Sequence, residues 1–239
     1  DVRLNVNENP FAPSPELARA LGAAVTEAAQ TLNRYPDREC LELRQALADY
    51  LCHESSAECG VESIWVANGS NEVMSHIMAA FGGPGRVALT FPPTYSMYPE
   101  YARESFTTLV SVPRTTDFQI DMAASTAAIE DQRPSVVLLA SPNNPTGAVV
   151  PETDILAVAD ARPGTLVVLD AAYVEFGDAD PTIAALTDAR AAYERRLQRS
   201  IENASVTGDG ESHGLTTAVA VFESRLAEPT ASSANSHYD

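Results

Sequence analysis

The sequence predicts an α/β fold, a three-layer sandwich in which a mainly parallel β-sheet lies between helices. Two observations lead to this prediction. Four short apolar runs are each bounded by Gly, Pro, Asn or Asp, and helical patterns separate most of them. The runs are also almost continuously apolar, which is typical of strands that are buried on both faces of a parallel sheet. They cover residues 64–67, 87–90, 136–140 and 166–169.

Local signals predict the other elements in chain order. A first helix is predicted to begin at Ser14-Pro15-Glu16, which supplies an N-cap, a proline at the first position and an acid in the first turn. A second helix is predicted after residue 37, and a third over residues 73–80. Further on, we expect a helix over 188–199 and one strand within 215–222. The apolar stripe of the second helix consists of Leu43, Ala46, Leu47, Tyr50 and Leu51.

Composition and apolar periodicity divide the chain into three regions. Residues 1–30 are predicted to form an N-terminal arm and the first helix, and residues 31–186 a large α/β domain. Residues 187–239 form a divergent tail that is rich in Ala, Ser, Thr and Arg. Because this tail has few periodic apolar positions, we expect it to be partly disordered, above all over its last ten residues.

Composition excludes several classes of partner. The net charge of −18, from 33 acidic residues against 15 arginines, argues against a nucleic acid or an anionic membrane surface. No apolar run approaches the length of a membrane span and no signal segment opens the chain, so a cytoplasmic protein is expected. Cys40, Cys52 and Cys59 are too few and wrongly spaced for a zinc site, so no metal is predicted. Since the chain begins at Asp1, we expect that residues upstream were removed or left out.

Polar clusters follow the predicted strands, where α/β folds place their ligands. Asn68-Gly69-Ser70-Asn71-Glu72 precedes a helix, so it could cradle a phosphate or simply cap that helix. Tyr95 follows two prolines and could stack on a flat ligand or pack in the core. The turn at 141–147 presents two asparagine amides. Asp170 could pair with a protonated ring nitrogen or cap the segment that follows it.

Six motifs in order make a more specific pattern than any one of them. They are Leu4-Asn5-Val6-Asn7-Glu8-Asn9-Pro10, Leu32-Asn33-Arg34-Tyr35-Pro36-Asp37, Asn68-Gly69-Ser70-Asn71-Glu72, Pro93-Thr94-Tyr95-Ser96-Met97, Ser141-Pro142-Asn143-Asn144-Pro145-Thr146-Gly147 and Asp170-Ala171-Ala172-Tyr173-Val174-Glu175-Phe176. In order and spacing they resemble fold-type I aminotransferases that depend on pyridoxal 5'-phosphate. In particular, residues 3–186 are similar to histidinol-phosphate aminotransferases of high-GC Gram-positive bacteria. Residues 31–186 would then be an incomplete large domain of the fold-type I transferases.

The resemblance implies a cofactor role for several of these residues. Ser70, Asn71 and the backbone around Gly69 would hold the phosphate of pyridoxal phosphate at a helix N-terminus. Tyr95 would stack on the pyridine ring. Asp170 would pair with the protonated ring nitrogen, which makes the ring an electron sink.

Four further residues receive roles from the same resemblance. Asn144 and Tyr173 would hydrogen-bond the phenolic oxygen of the ring. Tyr35 would reach the cofactor phosphate of a partner subunit, so its presence implies a homodimer. Asn9 lies on the arm that closes over the small amino substrate in this family.

One residue that the family needs is missing, because all 15 basic side chains are arginine and the chain has no lysine. In the family, a lysine in a Ser-Lys segment forms a Schiff base with the cofactor and moves protons. The nearest match, Ser212-His213-Gly214-Leu215, lies too far along the chain and has histidine in place of lysine. Ala171 replaces the acid that usually follows Asp170. We therefore expect non-covalent cofactor binding, no catalytic lysine, and an inactive or severely impaired chain.

Three interpretations remain open. The first is an aminotransferase of histidine biosynthesis, acting on histidinol phosphate with 2-oxoglutarate, in a truncated or frame-altered chain. The second is a non-catalytic homologue that binds the cofactor or a related subunit. The third is another fold-type I aminotransferase or a phosphothreonine-type decarboxylase, which is disfavoured because it also needs the lysine.

Overall fold

The computed structural model of the chain describes residues 7–9, 11–55, 60–162, 164–176 and 219–222. The described residues fall into two compact units, one up to residue 41 and the other from residue 42 to 222. The predicted helix over 188–199 lies outside the described residues, as does most of the tail. None of the helices within the described residues is both long and apolar enough to cross a membrane.

The first unit contains the predicted first helix, α1 (Pro15–Ala29). Ser14 is its N-cap, and the Ser14 hydroxyl accepts a hydrogen bond from the backbone N–H of Leu17 at 3.1 Å. Pro15 occupies the first helical position, where its missing N–H costs nothing. The sequence prediction of this helix start is therefore confirmed.

Helices and strands alternate in the second unit. The helices are α2 (Leu41–Ser55), α3 (Ser70–Phe81), α4 (Tyr98–Glu104), α5 (Met122–Gln132) and α6 (Glu152–Ala161). The strands are β1 (Val87–Thr90), β2 (Thr108–Ser111), β3 (Val136–Ala140), β4 (Leu166–Asp170) and β5 (Val219–Phe222). Two single 3₁₀ turns, Val61–Ser63 and Val174–Phe176, are also present.

The strands form one sheet in the order β2-β1-β3-β4-β5, and every neighbouring pair is parallel. The chain runs from β1 outward to β2 and then returns to β3 on the other side of β1. This reversal opens a crevice between the carboxyl ends of β1 and β3, where α/β proteins bind ligands. The predicted mainly parallel sheet is confirmed, including a strand within 215–222.

Helices cover both faces of this sheet. On one face, Met74 and Met78 of α3 and Tyr98 and Tyr101 of α4 pack against alternate residues of β3 and β4. On the other face, Ile129 of α5 and the buried residues of α6 pack against the intervening strand residues. Because side chains alternate along a strand, nearly every residue of β3 and β4 is buried, which explains their continuous apolar runs.

Two details of the predicted elements are wrong. Residues 64–67 form no strand, because this extended segment has no paired neighbour and Trp65 within it is largely exposed. In α2, Leu43 and Ala46 are exposed, whereas Ala48 is buried. Only part of the apolar stripe of α2 is buried. Helical periodicity alone therefore did not identify the buried face of this helix correctly.

Candidate functional site

A crevice lies at the carboxyl ends of β1, β3 and β4, and we call it the strand-end crevice. Parallel strands bring these ends to one edge of the sheet, so the segments that follow them meet there. Its polar lining comes from the start of α3, from the loop after β1, and from the segments that follow β3 and β4. These side chains are Ser70, Tyr95, Asn144, Asp170 and Tyr173.

Asp170 is the last residue of β4 and its side chain is buried. One carboxylate oxygen, Oδ2, accepts a hydrogen bond from the Tyr98 hydroxyl at 2.9 Å. The other, Oδ1, accepts one from the backbone N–H of Ala172 at 3.2 Å. Burial raises the pKa of Asp170 above its ordinary value, and these two hydrogen bonds oppose that rise.

The position of Tyr98 follows from the alternation of β4. Leu166 and Val168 face the side of the sheet that α3 and α4 cover, and Asp170 continues that row. Tyr98, at the start of α4, therefore meets the carboxylate with its hydroxyl. Burial, with Asp170 nearby, raises the pKa of Tyr98 well above its ordinary value, so this phenol keeps its proton. Its ring lies edge-on to that of Tyr95, with centroids 5.6 Å apart.

The N-terminus of α3 has no side-chain cap. Its N-cap is Gly69, with φ of +83°. The starts of α4 and α6 also lack such a cap, whereas Ser14 and Asp121 cap α1 and α5 through their side chains. The first N–H groups of α3 have no partner within the helix, and the hydroxyl of Ser70 lies in the crevice beside them. Such an end is suited to an anion such as phosphate.

Glu72, in the first turn of α3, stabilises the same helix start by binding Asn68, the residue before the N-cap. Its carboxylate accepts hydrogen bonds from the backbone N–H and the side-chain amide of Asn68. These hydrogen bonds lower the pKa of Glu72. Asn71 is turned toward α4, where its amide oxygen accepts a hydrogen bond from the Tyr101 hydroxyl.

The two asparagines after β3 have different environments. Asn143 is buried; its side chain accepts from the Thr94 hydroxyl at 2.8 Å and donates to the carbonyl of Pro93 at 3.0 Å and to Thr146 at 2.8 Å. It therefore ties the loop after β1 to the loop after β3. Asn144 lines the crevice, and its amide lies 3.5 Å from the Tyr173 hydroxyl.

A buried arginine lies behind the same loops. Arg114 donates to the carbonyl oxygens of Phe91, Phe118 and Ala140, at 3.1, 3.0 and 3.4 Å. Phe91 directly follows β1 and Ala140 ends β3, so one guanidinium bridges the two strand ends. Burial lowers the pKa of Arg114.

Most of the predicted site residues lie together. Ser70, Tyr95, Asn144, Asp170 and Tyr173 line the crevice, and Gly69 begins the helix next to Ser70. Asn71 follows Ser70 but its amide oxygen is bonded to Tyr101. Asn9 and Tyr35 belong to the first unit; there Asn9 accepts a hydrogen bond from the backbone of Phe11, and the Tyr35 side chain is fully exposed.

Three residues of the site were not predicted from the sequence: Tyr98, Asn143 and Arg114. The spacing of Tyr98, three residues after Tyr95, gave no usable signal, because Tyr95 lies in the loop before α4 and Tyr98 is the first residue of that helix. No signal separated Asn143 from Asn144 or marked Arg114 among 15 arginines. Among the described residues, no group of three or more His, Cys, Asp or Glu side chains is placed to hold a metal ion.

Comparison with known sequences gives the family. A family model described as aminotransferase class I and II matches residues 1–222. The histidinol-phosphate aminotransferase of Thermobifida fusca (strain YX) is 57% identical over 173 residues, which are 72% of this chain and 46% of that protein. A histidinol-phosphate aminotransferase of Mycolicibacterium smegmatis is 44% identical over 187 residues, covering 78% of this chain and 85% of that sequence. The chain spans about half the length of most curated relatives that it matches.

Comparison with solved structures gives the same fold. The crystal structure of histidinol-phosphate aminotransferase from Sinorhizobium meliloti, in complex with pyridoxal-5'-phosphate, has a TM-score of 0.64 and 30% identity, covering 75% of this chain and 47% of that one. Cystalysin from Treponema denticola, at 17% identity and a TM-score of 0.62 over 73% of this chain and 44% of that one, shares the fold. The predicted partial large domain of the fold-type I transferases is thus confirmed. The chain belongs to the aminotransferase class I and II family and, within that family, to the histidinol-phosphate aminotransferase group.

Proposed function

We propose that the strand-end crevice binds pyridoxal 5'-phosphate, and that the chain is the cofactor-binding part of a histidinol-phosphate aminotransferase. That activity would exchange an amino group between histidinol phosphate and 2-oxoglutarate in histidine biosynthesis. The observation that carries the proposal is the meeting of Ser70, Tyr95, Asn144, Asp170 and Tyr173 around one crevice. The names of the relatives and the cofactor in the Sinorhizobium meliloti structure support it.

The donors and acceptors of the crevice fit the chemistry of this cofactor. The open N-terminus of α3 and the Ser70 hydroxyl offer hydrogen-bond donors to a phosphate. The buried carboxylate of Asp170 offers negative charge to a protonated pyridine nitrogen. Tyr95 lines the same crevice and offers an aromatic ring to the cofactor. Pyridoxal phosphate, when bound, supplies a ring that withdraws electrons from the carbon bearing the substrate amino group.

The residues of the chain would bind and orient this ring. Asp170, held by Tyr98 and by the Ala172 N–H, would keep a proton on the ring nitrogen. Asn144 and Tyr173, whose polar groups lie next to each other, would hydrogen-bond the phenolic oxygen. The amide oxygen of Asn71 accepts from Tyr101, so Asn71 would contact the cofactor phosphate through its side-chain NH2.

We also propose that these 239 residues are inactive or severely impaired on their own. The chain contains no lysine, and a Schiff base between the cofactor aldehyde and a protein side chain needs a primary amine. Neither arginine nor histidine can substitute. The same residue would move the proton, and losing a placed proton-transfer group costs about 10²–10⁴ in rate. Binding without covalent attachment is therefore expected.

The missing lysine also favours a second candidate, a non-catalytic homologue that binds the cofactor or a related subunit. In that case the crevice still binds the cofactor, but its role is in the assembly of the chain with a related subunit. The third candidate, another fold-type I aminotransferase or a phosphothreonine-type decarboxylase, is less favoured because relatives that are 50–57% identical are named histidinol-phosphate aminotransferases.

Titration with pyridoxal phosphate tests the site. We expect saturable binding, followed by absorbance of the cofactor, and at least tenfold weaker binding for Asp170→Ala, because a charge-assisted hydrogen bond is lost. Asp131→Ala is the control, since Asp131 is an exposed carboxylate at the end of α5. Equal affinities for wild type and Asp170→Ala would contradict a cofactor role for the crevice.

Borohydride reduction tests the mode of binding. The loaded protein is reduced and its peptides are analysed by mass spectrometry. Because no internal residue carries a primary amine, we expect no pyridoxyl label on any internal peptide. A labelled internal residue would refute the non-covalent proposal.

The remaining roles concern residues of the first unit and the setting of the protein. We propose that Asn9 contacts the amino substrate and that Tyr35 reaches the cofactor phosphate of a second subunit in a homodimer. The exposure of the Tyr35 side chain is compatible with such a contact. A cytoplasmic location is proposed because the suggested reaction belongs to amino-acid biosynthesis.

A further inference from the structure

Three tyrosines at intervals of three residues connect the strand-end crevice to α4. Tyr95 lines the crevice, Tyr98 donates to Asp170 at 2.9 Å, and Tyr101 donates to Asn71. Tyr98 and Tyr101 are both buried in the same cluster between α4 and the sheet. The two hydroxyls therefore hold two different polar side chains from one helix face.

The ring of Tyr98 is fully buried among apolar side chains, where a phenylalanine would fill the same space. A buried phenol needs a hydrogen-bond partner, and the Tyr98 hydroxyl has that partner in Oδ2 of Asp170. The hydroxyl is thus not explained by packing. The function of this hydroxyl is to donate a hydrogen bond to the Asp170 carboxylate.

We propose that Tyr98 is a positioning residue, which fixes the orientation of the Asp170 carboxylate and favours its ionised form. The proposal rests on the proposed function only in that Asp170 is taken to face the cofactor ring. The Ala172 N–H holds Oδ1 while Tyr98 holds Oδ2, so both oxygens are fixed before any ligand arrives. Pre-fixed geometry of this kind lowers the cost of ordering a site on binding.

The hydrogen bond opposes the effect of burial on the acid. A buried carboxyl tends to keep its proton and would then lose the negative charge that a protonated ring nitrogen needs. A phenol that donates to the ionised form works against that tendency. Within the described part of the chain, the other titratable groups near the carboxylate are the phenols of Tyr95, Tyr101 and Tyr173, and the guanidinium of Arg114 interacts with the Tyr98 phenol.

The test measures Asp170 itself in the cofactor-free chain. Carboxyl-labelled aspartate gives NMR signals that titrate with pH, and Asp170→Asn assigns the signal. We expect the Asp170 carboxyl to titrate at a higher pH in Tyr98→Phe than in wild type. Tyr101→Phe is the matched control: it also removes a buried hydroxyl from α4, but that hydroxyl donates to Asn71 and not to Asp170, so the Asp170 titration should move less than in Tyr98→Phe.

Cofactor affinity supplies the second readout. We expect Tyr98→Phe to bind pyridoxal phosphate about tenfold more weakly than wild type, because a carboxyl that is less ionised and less ordered pairs more weakly with the protonated ring nitrogen. If Asp170 shifts in Tyr98→Phe while wild type binds no pyridoxal phosphate, the positioning role stands and the proposed function fails. If wild type binds the cofactor but Asp170 titrates unchanged in a folded Tyr98→Phe, the positioning role is overturned.

A measurement on wild type covers the case in which Tyr98→Phe does not fold. The ring carbon that bears the Tyr98 hydroxyl should change its NMR shift with the same midpoint as the Asp170 carboxyl, since the hydrogen bond weakens on protonation. A Tyr98 signal that stays constant through that midpoint would equally overturn the proposal.

Discussion

Asp170 combines two demands that oppose each other, since it is buried and is expected to carry charge. Its environment raises its pKa through burial, and two hydrogen bonds compensate only in part. In the unfolded chain the same carboxyl is solvated and has its ordinary pKa. Placing this carboxylate at the end of β4 therefore lowers the free energy of unfolding at neutral pH.

Asp170→Asn is therefore expected to stabilise the cofactor-free protein at neutral pH. For an acid whose pKa is raised on folding, the native state binds more protons than the unfolded state between the two pKa values, so stability falls as pH rises through that interval. The amide removes this loss, and its oxygen can still accept from Tyr98, although its NH2 cannot accept from the Ala172 N–H, which offsets part of the gain. Urea denaturation of both proteins at pH 7 and at pH 4 checks the prediction. A wild-type advantage at pH 7 would contradict it.

The neighbouring asparagines are expected to have different mutant phenotypes. Asn143→Ala removes three partly buried side-chain hydrogen bonds and leaves their partners without Asn143, so it should lower the free energy of unfolding by about 2–3 kcal/mol. Asn144→Ala, its matched control, should cost less than about 1 kcal/mol but weaken pyridoxal phosphate binding. Denaturant unfolding and cofactor titration separate the two. Similar losses of stability in both variants would refute this assignment.

Site residues were predictable from the sequence where their position along a strand was informative. Asp170 and Asn144 follow apolar runs, so the carboxyl-end rule placed both near one crevice. The same rule could not tell that Asn143 points into the loops while Asn144 lines the crevice, because that depends on loop conformation. Tyr98 was missed because its partner Asp170 is far away in sequence.

At the scale of elements, the start of α3 depends on the positive φ of Gly69. Its φ of +83° and ψ of 172° lie in a backbone region that is essentially restricted to glycine and costs other residues about 1–3 kcal/mol. A Cβ added there would meet no atom within 4 Å, so the cost is conformational rather than steric. The glycine leaves the helix end free of a side-chain cap and open toward the crevice.

Gly69→Ala is expected to lower stability by about 1–3 kcal/mol and also to weaken phosphate-dependent cofactor binding. Gly85→Ala is the matched control, because Gly85 also has a positive φ, +79°, and open space around it. It should lose similar stability with unchanged affinity, as Gly85 is not among the residues that line the crevice. Thermal unfolding and pyridoxal phosphate titration provide the measurements. An equal loss of affinity in both variants would argue against a special role for Gly69.

The elements that sequence reasoning misjudged are those with weak apolar signals or no pairing partner. β2 was not predicted because it is an edge strand with threonine and serine at its ends. Residues 64–67 have the composition of a strand, but composition cannot show whether a neighbouring strand is available. The fully buried strands β3 and β4 were predicted almost to the residue, since burial on both faces requires a continuous apolar run.

At the scale of the whole molecule, the fold class followed from the sequence but the strand order did not. The order β2-β1-β3-β4-β5 depends on which side of β1 each crossover returns, and local pattern does not encode that choice. The position of β5 beside β4 matters most for the protection of the sheet, because β4 is completely buried and β5 covers its second edge.

Val221→Pro is expected to disrupt this last pairing. Proline lacks the N–H that a strand contributes to a ladder, and Val221 pairs with Leu169. Hydrogen exchange should then show at least tenfold faster exchange of backbone amides in β4, and light scattering should show more aggregation, since β4 becomes an exposed apolar edge. Val110→Pro, in the edge strand β2, is the comparison and should leave β4 protected. Unchanged β4 protection in Val221→Pro would show that the sheet does not need β5.

The parallel pairing of β4 with β5 has a consequence for biosynthesis. Val167 pairs with Val219, and at a synthesis rate of about 5–20 residues per second the second strand emerges several seconds after the first. During that delay, the nascent chain holds an apolar strand with one unpaired edge, at the point where Asp170 will complete the site. We therefore expect yield in the cell to depend on translation rate and chaperone supply more than on the equilibrium stability of the finished fold.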